Sequence, residues 1–461
     1  MEVIQKFIFS NWLKQTISQI LGKSESLHFH LVRDTVGVMI LKVTAMGLGF
    51  LINVFLARLL GAAGYGVYAY VWSMITFLSI PAAFGLPQLL VRNIASYQTK
   101  EEWSFLKGLL HFADRTVLVT SLILATFLGL GIWLFSDRIG TQTRDTFLIA
   151  LLLLMFMSLL QIRQMSLQGL GRIVQGQMLM SFVRPILFIL IASAYFFSTG
   201  RITPPSAMGI QVVASSTAFL IGTFLLKKYL PKPIDEISPT FAIGPWVRSA
   251  MPLLGIGILG VINTQADILL LGTIKGAEAV GIYKVALQNA LLITFPLVAI
   301  KAVSGPTISS LHTKGNRELL QRVITYATRM AWLGSLPIAL GFIVGGKWFL
   351  SFLFGQEFVG STMALGILSL GYLINVTMGA VDLVLIMTEH EDMAVKGMGF
   401  AAVFNVILNT VFIPLWGPIG AAAATAISQA CWSIILAMWV YKKLGINTTV
   451  VRRQIWRMKQ K

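Results

Sequence analysis

The sequence predicts an all-α polytopic membrane protein, with about 12 transmembrane helices in two pseudo-symmetric six-helix lobes. Three observations predict it. Of 461 residues, 56% are apolar and 12% charged, about half the charge fraction of a soluble domain. Runs of roughly 20 apolar residues recur from end to end, each long enough to cross a bilayer as a helix. The alternating segments of ~10 residues that a membrane β-barrel needs are absent. The third observation is an internal repeat. LLGAAGYGVYAYVWSMITFLSIP, from Leu59 to Pro81, holds a Gly-rich turn and then a long apolar run, and GAEAVGIYKVALQNALLITFP repeats it from Gly276 to Pro296.

The match is ungapped at an offset of 215 residues. Gly61, Ala62, Gly66, Tyr68 and Pro81 fall on Gly276, Ala277, Gly281, Tyr283 and Pro296. The same offset sets Gly131, Trp133, Ser136 and Gly140 on Gly346, Trp348, Ser351 and Gly355, and Lys227-Lys228 on Lys442-Lys443. Three segments in one register mark two related halves, a pattern found in transporters.

Residues 1–32 come first in the chain. Val3, Ile4, Phe7, Ile8, Ile17, Ile20 and Leu21 recur at helical spacing between Lys6, Lys14 and Lys23, which predicts an amphipathic helix on the cytoplasmic membrane surface. No cleavable signal peptide is expected, because no continuous apolar core precedes residue 33. The spans follow at about 35–58, 66–90, 113–136, 146–167, 176–198, 206–228, 247–273, 280–304, 325–352, 361–388, 394–415 and 418–441. The proline-rich stretch 230–245 is the most polar break. It divides an N-lobe (33–229) from a C-lobe (246–443), and a basic cytoplasmic tail (444–461) closes the chain. Six spans per lobe orient both halves alike.

Charge tests this layout. The chain carries a net +18, which in a soluble protein would suggest nucleic acid. Here 26 of the 36 Lys and Arg fall in the segments that an inside N-terminus makes cytoplasmic, and six fall in the outer loops. That bias is the positive-inside rule, with both termini inside. No cofactor or metal is expected: Cys431 is the single cysteine, and the five histidines form no ligand cluster. Gly255, Gly257 and Gly260 match GxGxxG but lie within a span, so helix packing is expected there and no dinucleotide site.

Against this background the residues resemble a known family. ARLLGAAGYGVYAY (57–70) looks like the N-terminal signature of polysaccharide flippases of the Wzx type. LQGLGR (167–172) is similar to that family's inner turn, and NVILNTVFIPLWGPIGAAAATAISQ (405–429) to its eleventh-to-twelfth span hairpin. The wider superfamily includes the MATE drug exporters and the lipid II flippases. The resemblance implies two lobes in a V around a central cavity, lined chiefly by spans 1, 2, 7 and 8. It implies alternating-access transport of an undecaprenyl-diphosphate-linked oligosaccharide across the cytoplasmic (inner) membrane. It also implies membrane lipids as surroundings, a polysaccharide polymerase and chain-length machinery as partners, and no enzymatic chemistry. A monomer is expected, since one chain holds both halves of a cavity.

Charge inside a span is costly and faces a cavity, a partner or a pathway. Lys42, Arg184, Lys284 and Lys301 are therefore the candidate contacts for a diphosphate, because Arg grips phosphate bidentately and Lys acts as a point charge. Lys284 and Lys301 lie near span ends and can instead snorkel to the interface. Asp267 and Asp382 are candidates for gating or ion coupling, or for neutralising a nearby base. Arg58 is either an interfacial anchor or a holder of the outer gate. Tyr65, Tyr68, Tyr70 and Trp72 read as an aromatic belt, with stacking on sugars as the second reading. Pro81, Pro252, Pro296 and Pro337 are expected to kink helices. The main alternative function is a MATE-type cation-coupled multidrug exporter. It would favour cavity acids, and Asp34, Asp114, Asp137 and Asp145 all lie at span edges in the first half. A glycan polymerase or ligase would need a large outer loop with clustered catalytic groups, and the outer loops here are short.

Overall fold

The computed structural model describes residues 25–450, apart from 232, 233, 235 and 236. Most of the amphipathic helix expected over 1–32, and the tail beyond 450, lie outside the described residues. Among the described residues the chain is helical, with no strand. Eleven helices are long and apolar enough to cross a membrane. The first of them is two spans in one: the helix Glu25–Ala82 breaks at Gly61 into α1 (25–60) and α2 (62–82), which restores the twelve expected. The helices α3 (Leu86–Thr99) and α4 (Trp103–Leu134) follow. Then come α5 (Thr141–Gly169), α6 (Ile173–Thr199) and α7 (Pro204–Tyr229). After the linker the second half holds α8 (Ile243–Lys275), α9 (Ala277–Thr313), α10 (Arg317–Leu353), α11 (Gln356–Met387), α12 (Glu391–Trp416) and α13 (Pro418–Leu444). The short helix α3 continues α2 beyond a break at Phe84 and Gly85.

Because the spans alternate in direction, the Gly61 and Gly276 turns sit at one end of the bundle. The linker sits at the other. We call these the turn end and the linker end.

The sequence repeat is also a backbone repeat. Gly61 has φ 66° and ψ 178°, and its mate Gly276 has φ 84° and ψ 178°. Only glycine occupies that region without strain. Five residues on, the next pair of mates lets the halves touch. A methyl built on Gly66 would lie 1.7 Å from the Ala277 carbonyl oxygen, and one on Gly281 would lie 2.2 Å from the Ala62 carbonyl oxygen. So α2 and α9 cross backbone to backbone at the turn end, as small residues allow in a membrane. At the linker end, the start of α8 leans on the first half. Trp246 is 1% exposed, lies tilted against the Phe112 ring and donates its indole N–H to the Tyr97 hydroxyl at 2.9 Å.

The aromatic belt is not where the sequence placed it. Tyr65 and Tyr68 are 1% and 6% exposed. Tyr65 donates to Asn53 Oδ1 at 2.5 Å and meets the Phe358 ring edge-on, across the junction of the halves. Tyr65 is covered from the second half, and Tyr68 is packed inside the first, on Trp72 and Gln211. Two other repeat mates, Trp133 and Trp348, fit a belt: both sit at the turn end and both are 72% exposed. Pro81 and Pro296 do mark breaks, the first beside the Phe84 turn and the second after a 3-10 turn at Leu291–Thr294. Pro252 and Pro337 lie within unbroken helices. Of the three glycines in the GxGxxG match, Gly257 has a close neighbour, the Ile80 side chain.

Arg163 also departs from expectation. The sequence layout counts it among the cytoplasmic bases, at the inner end of the span expected over 146–167, and sets Asp114 at a span edge. In the structure α5 runs on to Gly169, and Arg163 is a 7%-exposed residue inside the first half. Its Nη2 donates to Asp114 Oδ2 at 2.9 Å and its Nε to Thr223 Oγ1 at 3.0 Å. Gly222 leaves room for its stem. An ion pair explains how a guanidinium stays inside a bundle. Removing one member of such a pair strands the other. Arg163→Met is therefore expected to cost roughly 3 kcal/mol, the low end for a buried pair since Asp114 stays partly exposed. Thermal unfolding of the purified protein checks this. The double variant with Asp114→Asn should recover part of the loss.

Candidate functional site

Beyond the Arg163–Asp114 pair, most of the charged candidates lie in three places. The first is inside the first half. Pro185 has no N–H to give to the preceding turn, and the helix widens to a π turn at Leu179–Val183 directly before Arg184. Such bulges often stand at functional positions. The Arg184 guanidinium lies 5.3 Å from the centre of the Trp72 ring. Trp72 stacks on Tyr68, and the Tyr68 hydroxyl accepts a 3.0 Å hydrogen bond from Gln211 Nε2. Among the described residues no carboxylate pairs with Arg184, and its Nη1 is buried without a hydrogen-bond partner. A cation–π contact is worth about 0.5–2 kcal/mol. Withdrawing a charge from water costs several. The ring therefore offsets only part of the cost, and an anion would complete the site.

The second place is the matching position in the second half. Tyr283, the repeat mate of Tyr68, donates its hydroxyl hydrogen to Asp267 Oδ2. Thr425 Oγ1 approaches the same oxygen at 3.4 Å, and the Ile268 N–H donates to Oδ1 at 2.8 Å. Asp267 is 4% exposed, and Lys284 lies within electrostatic range of it. Nearer the linker end, Lys301 Nζ meets Asp382 Oδ1 at 2.7 Å. A break in the helix at Gly379 (φ 81°) turns α11 just ahead of Asp382. This pair lines a cavity of about 210 Å³ with Tyr372, Asn375 and Trp432.

The third place is the turn end. Arg58 Nε donates to the Leu353 carbonyl at 2.7 Å, and Nη2 donates to the Phe352 carbonyl. Glu357 Oε2 accepts from the Ala62 N–H at 2.8 Å. The last carbonyls of α10 and the first N–H of α2 have no partner within their own helices. Each half thus caps a helix end of the other.

The structure therefore pairs Asp382 with Lys301, leaves Lys284 within electrostatic range of Asp267 without a direct ion pair, sets Arg184 apart, and places Arg58 between the halves. Lys42 stands exposed on α1 and joins none of these groups. Sequence reasoning missed Glu357 and Arg163. Glu357 follows Gly355, which the repeat had already marked. That was the one available pointer, since a loop carboxylate carries no signal of being costly.

Comparisons with known proteins fit this architecture. Residues 31–312 match the family model described as "Polysaccharide biosynthesis protein". The probable low-salt glycan biosynthesis flippase Agl15 of Haloferax volcanii is 23% identical over 430 residues, covering 90% of this chain and 85% of that protein. The probable flippase AglR of the same organism is 25% identical, covering 85% and 80%. Among solved structures, a multidrug-resistance MATE family transporter in an inward-facing conformation superposes with a TM-score of 0.68. It is 14% identical, with 88% of this chain and 94% of that one covered. The lipid II flippase MurJ, inward closed, gives 0.67 at 17% identity, with 87% of each covered. At these identities the structural likeness speaks for the fold alone. The family match spans well over half of the sequence, so the chain belongs to the polysaccharide biosynthesis protein family.

Proposed function

We propose that this protein is a flippase for polysaccharide biosynthesis. It carries an undecaprenyl-diphosphate-linked oligosaccharide across the cytoplasmic membrane by alternating access. The observation that carries the reading is Arg184, a buried guanidinium with an unpartnered Nη1 beside Trp72. A diphosphate is the ligand such a group lacks, and fixed donors inside a low-dielectric site bind it strongly. Lys42 supplies a second positive contact from α1. Lys284 and Lys301 join once their acids release them, so Asp267 and Asp382 couple ion movement or gating to binding. Arg58 holds the outer gate. The cation-exporting alternative is less favoured, because both in-span acids already have partners: Tyr283, Thr425 and Lys284 for Asp267, and Lys301 for Asp382.

The turn end faces outward in this reading, and both termini are cytoplasmic. The domains are an N-lobe of 33–229, a linker of 230–245 and a C-lobe of 246–443. The working unit is a monomer that hands its product to a polymerase and its chain-length machinery. The test is leaflet accessibility. Cells lacking the protein are fed labelled sugar, and lipid-linked oligosaccharide is expected to accumulate on the cytoplasmic leaflet. Normal outward delivery in those cells would sink the proposal.

A further inference from the structure

A second charged feature lies far from Arg184, at the linker end of α10. After α13 the chain does not leave the bundle. Gly445–Val450 runs back as a strap across α10 and α11. The Gln321 side chain accepts from the Asn447 N–H at 2.8 Å and donates to its carbonyl at 2.7 Å. Thr328 Oγ1 donates to the Thr448 carbonyl at 2.9 Å, and the Val450 N–H donates to the Thr377 carbonyl at 3.1 Å. Thr448 is 1% exposed. Gly379 lets the strap in, since a methyl there would lie 2.5 Å from the Thr448 carbonyl.

Between the strap and the first turns of α10 is an open cavity of about 430 Å³. Arg317, Arg322 and Arg329 line it, with Tyr326, Leu444 and Ile446 as apolar wall. Glu318 also lines it and pairs with Arg322 at 2.6 Å, and Arg329 Nε donates to the Val450 carbonyl at 3.3 Å. Three guanidinium groups against one carboxylate leave the cavity cationic. Its apolar side does not stop at the rim. Tyr326, Met330 and Leu333 follow at helical spacing up α10, 47%, 42% and 58% exposed. A basic head pocket thus opens onto an apolar track running toward the membrane interior. A free phosphate would use only the pocket, whereas a lipid uses both.

We propose that this cavity binds a lipid-borne phosphate of the leaflet at the linker end. The arginines hold the headgroup, and an acyl or prenyl chain lies along Tyr326, Met330 and Leu333. Basic pockets between helices bind anionic headgroups by this chemistry. The site needs only that the chain spans a membrane, so it stands or falls separately from the flippase reading, which leaflet accessibility tests. The bound phosphate has two sources: bulk anionic phospholipid, or the diphosphate of a polyprenyl lipid.

Native mass spectrometry of the purified full chain tests it, titrating phosphatidylglycerol against phosphatidylcholine. Wild type is expected to retain phosphatidylglycerol preferentially. Arg317→Gln with Arg322→Gln, both exposed positions, should weaken that retention by roughly 10-fold or more, at about 1 kcal/mol per basic residue. Lys227→Gln with Lys228→Gln removes the same charge elsewhere at the linker end and should leave it unchanged. Undecaprenyl diphosphate that displaces phosphatidylglycerol at much lower concentration assigns the occupant to the polyprenyl lipid. Displacement only at matched concentration assigns it to bulk phospholipid. Equal retention by the arginine variant, equal retention of phosphatidylcholine, or displacement by inorganic phosphate would each overturn the proposal.

Discussion

A Gly66→Ala protein is expected to be unable to close its turn end. The added methyl would sit 1.7 Å from the Ala277 carbonyl oxygen, where an ordinary contact needs about 3.5 Å. The obstacle is backbone on a packed helix, so no side-chain rotation relieves it. The halves must move apart there by about 2 Å or more. That separation also pulls Glu357 from the Ala62 N–H and Arg58 from the Phe352 and Leu353 carbonyls. Spin labels at Arg201 and Lys347, both exposed near the turn end, in a Cys431→Ser background, read the change as a longer distance. In the alternating-access reading, the variant is then expected to lose transport while its membrane level persists. Gly281→Ala, whose methyl would lie 2.2 Å from the Ala62 carbonyl oxygen, should do the same. An unchanged distance in both variants would show that this crossing is not the closure.

Arg184→Gln is expected to reduce glycan export by roughly 30-fold or more. Truncating one member of a buried, hydrogen-bonded charge pair costs about 2–5 kcal/mol, and each 1.4 kcal/mol is tenfold. Gln keeps most of the side-chain volume and can still lie near Trp72, so lost packing does not explain such a drop. Arg184→Lys should fall between, because it keeps the charge and loses the planar fork. The measurement is initial export rate at matched protein level. Wild-type export by Arg184→Gln would remove Arg184 from the headgroup site.

Much of the fold was legible because a bilayer imposes simple rules on a sequence. Apolar runs gave the spans, and the offset of 215 residues gave the halves, down to the matched backbone at Gly61 and Gly276. In-span charge flagged Arg184, Asp267, Lys284, Lys301 and Asp382 one by one. It could not say which would meet. Lys301 and Asp382 are 81 residues apart in sequence, and no local pattern links them. The aromatic residues misled for a related reason. Tyr65 and Tyr68 at a span end look the same whether lipid or protein covers them, and here protein does: Phe358 of the opposite half on Tyr65, Trp72 and Gln211 of its own half on Tyr68. Arg163 counted as an interfacial cytoplasmic base because its partner Asp114 lies one helix away. Hydropathy reads each helix against lipid, while pairing reads helices against one another.

Tyr68 and Tyr283 occupy matching places, yet one answers to Gln211 and the other to Asp267 and Thr425. Duplication alone would build a vestibule that looks the same after half a revolution about the membrane normal. An elongated amphiphile could then settle in it two ways round at equal free energy. An unpartnered guanidinium in one half and a committed carboxylate in the other would lift that degeneracy. A gap of only about 1.4 kcal/mol already gives a tenfold preference. In the flippase reading the doubled backbone would supply the moving walls, and the mismatched side chains would decide which way round the cargo lies.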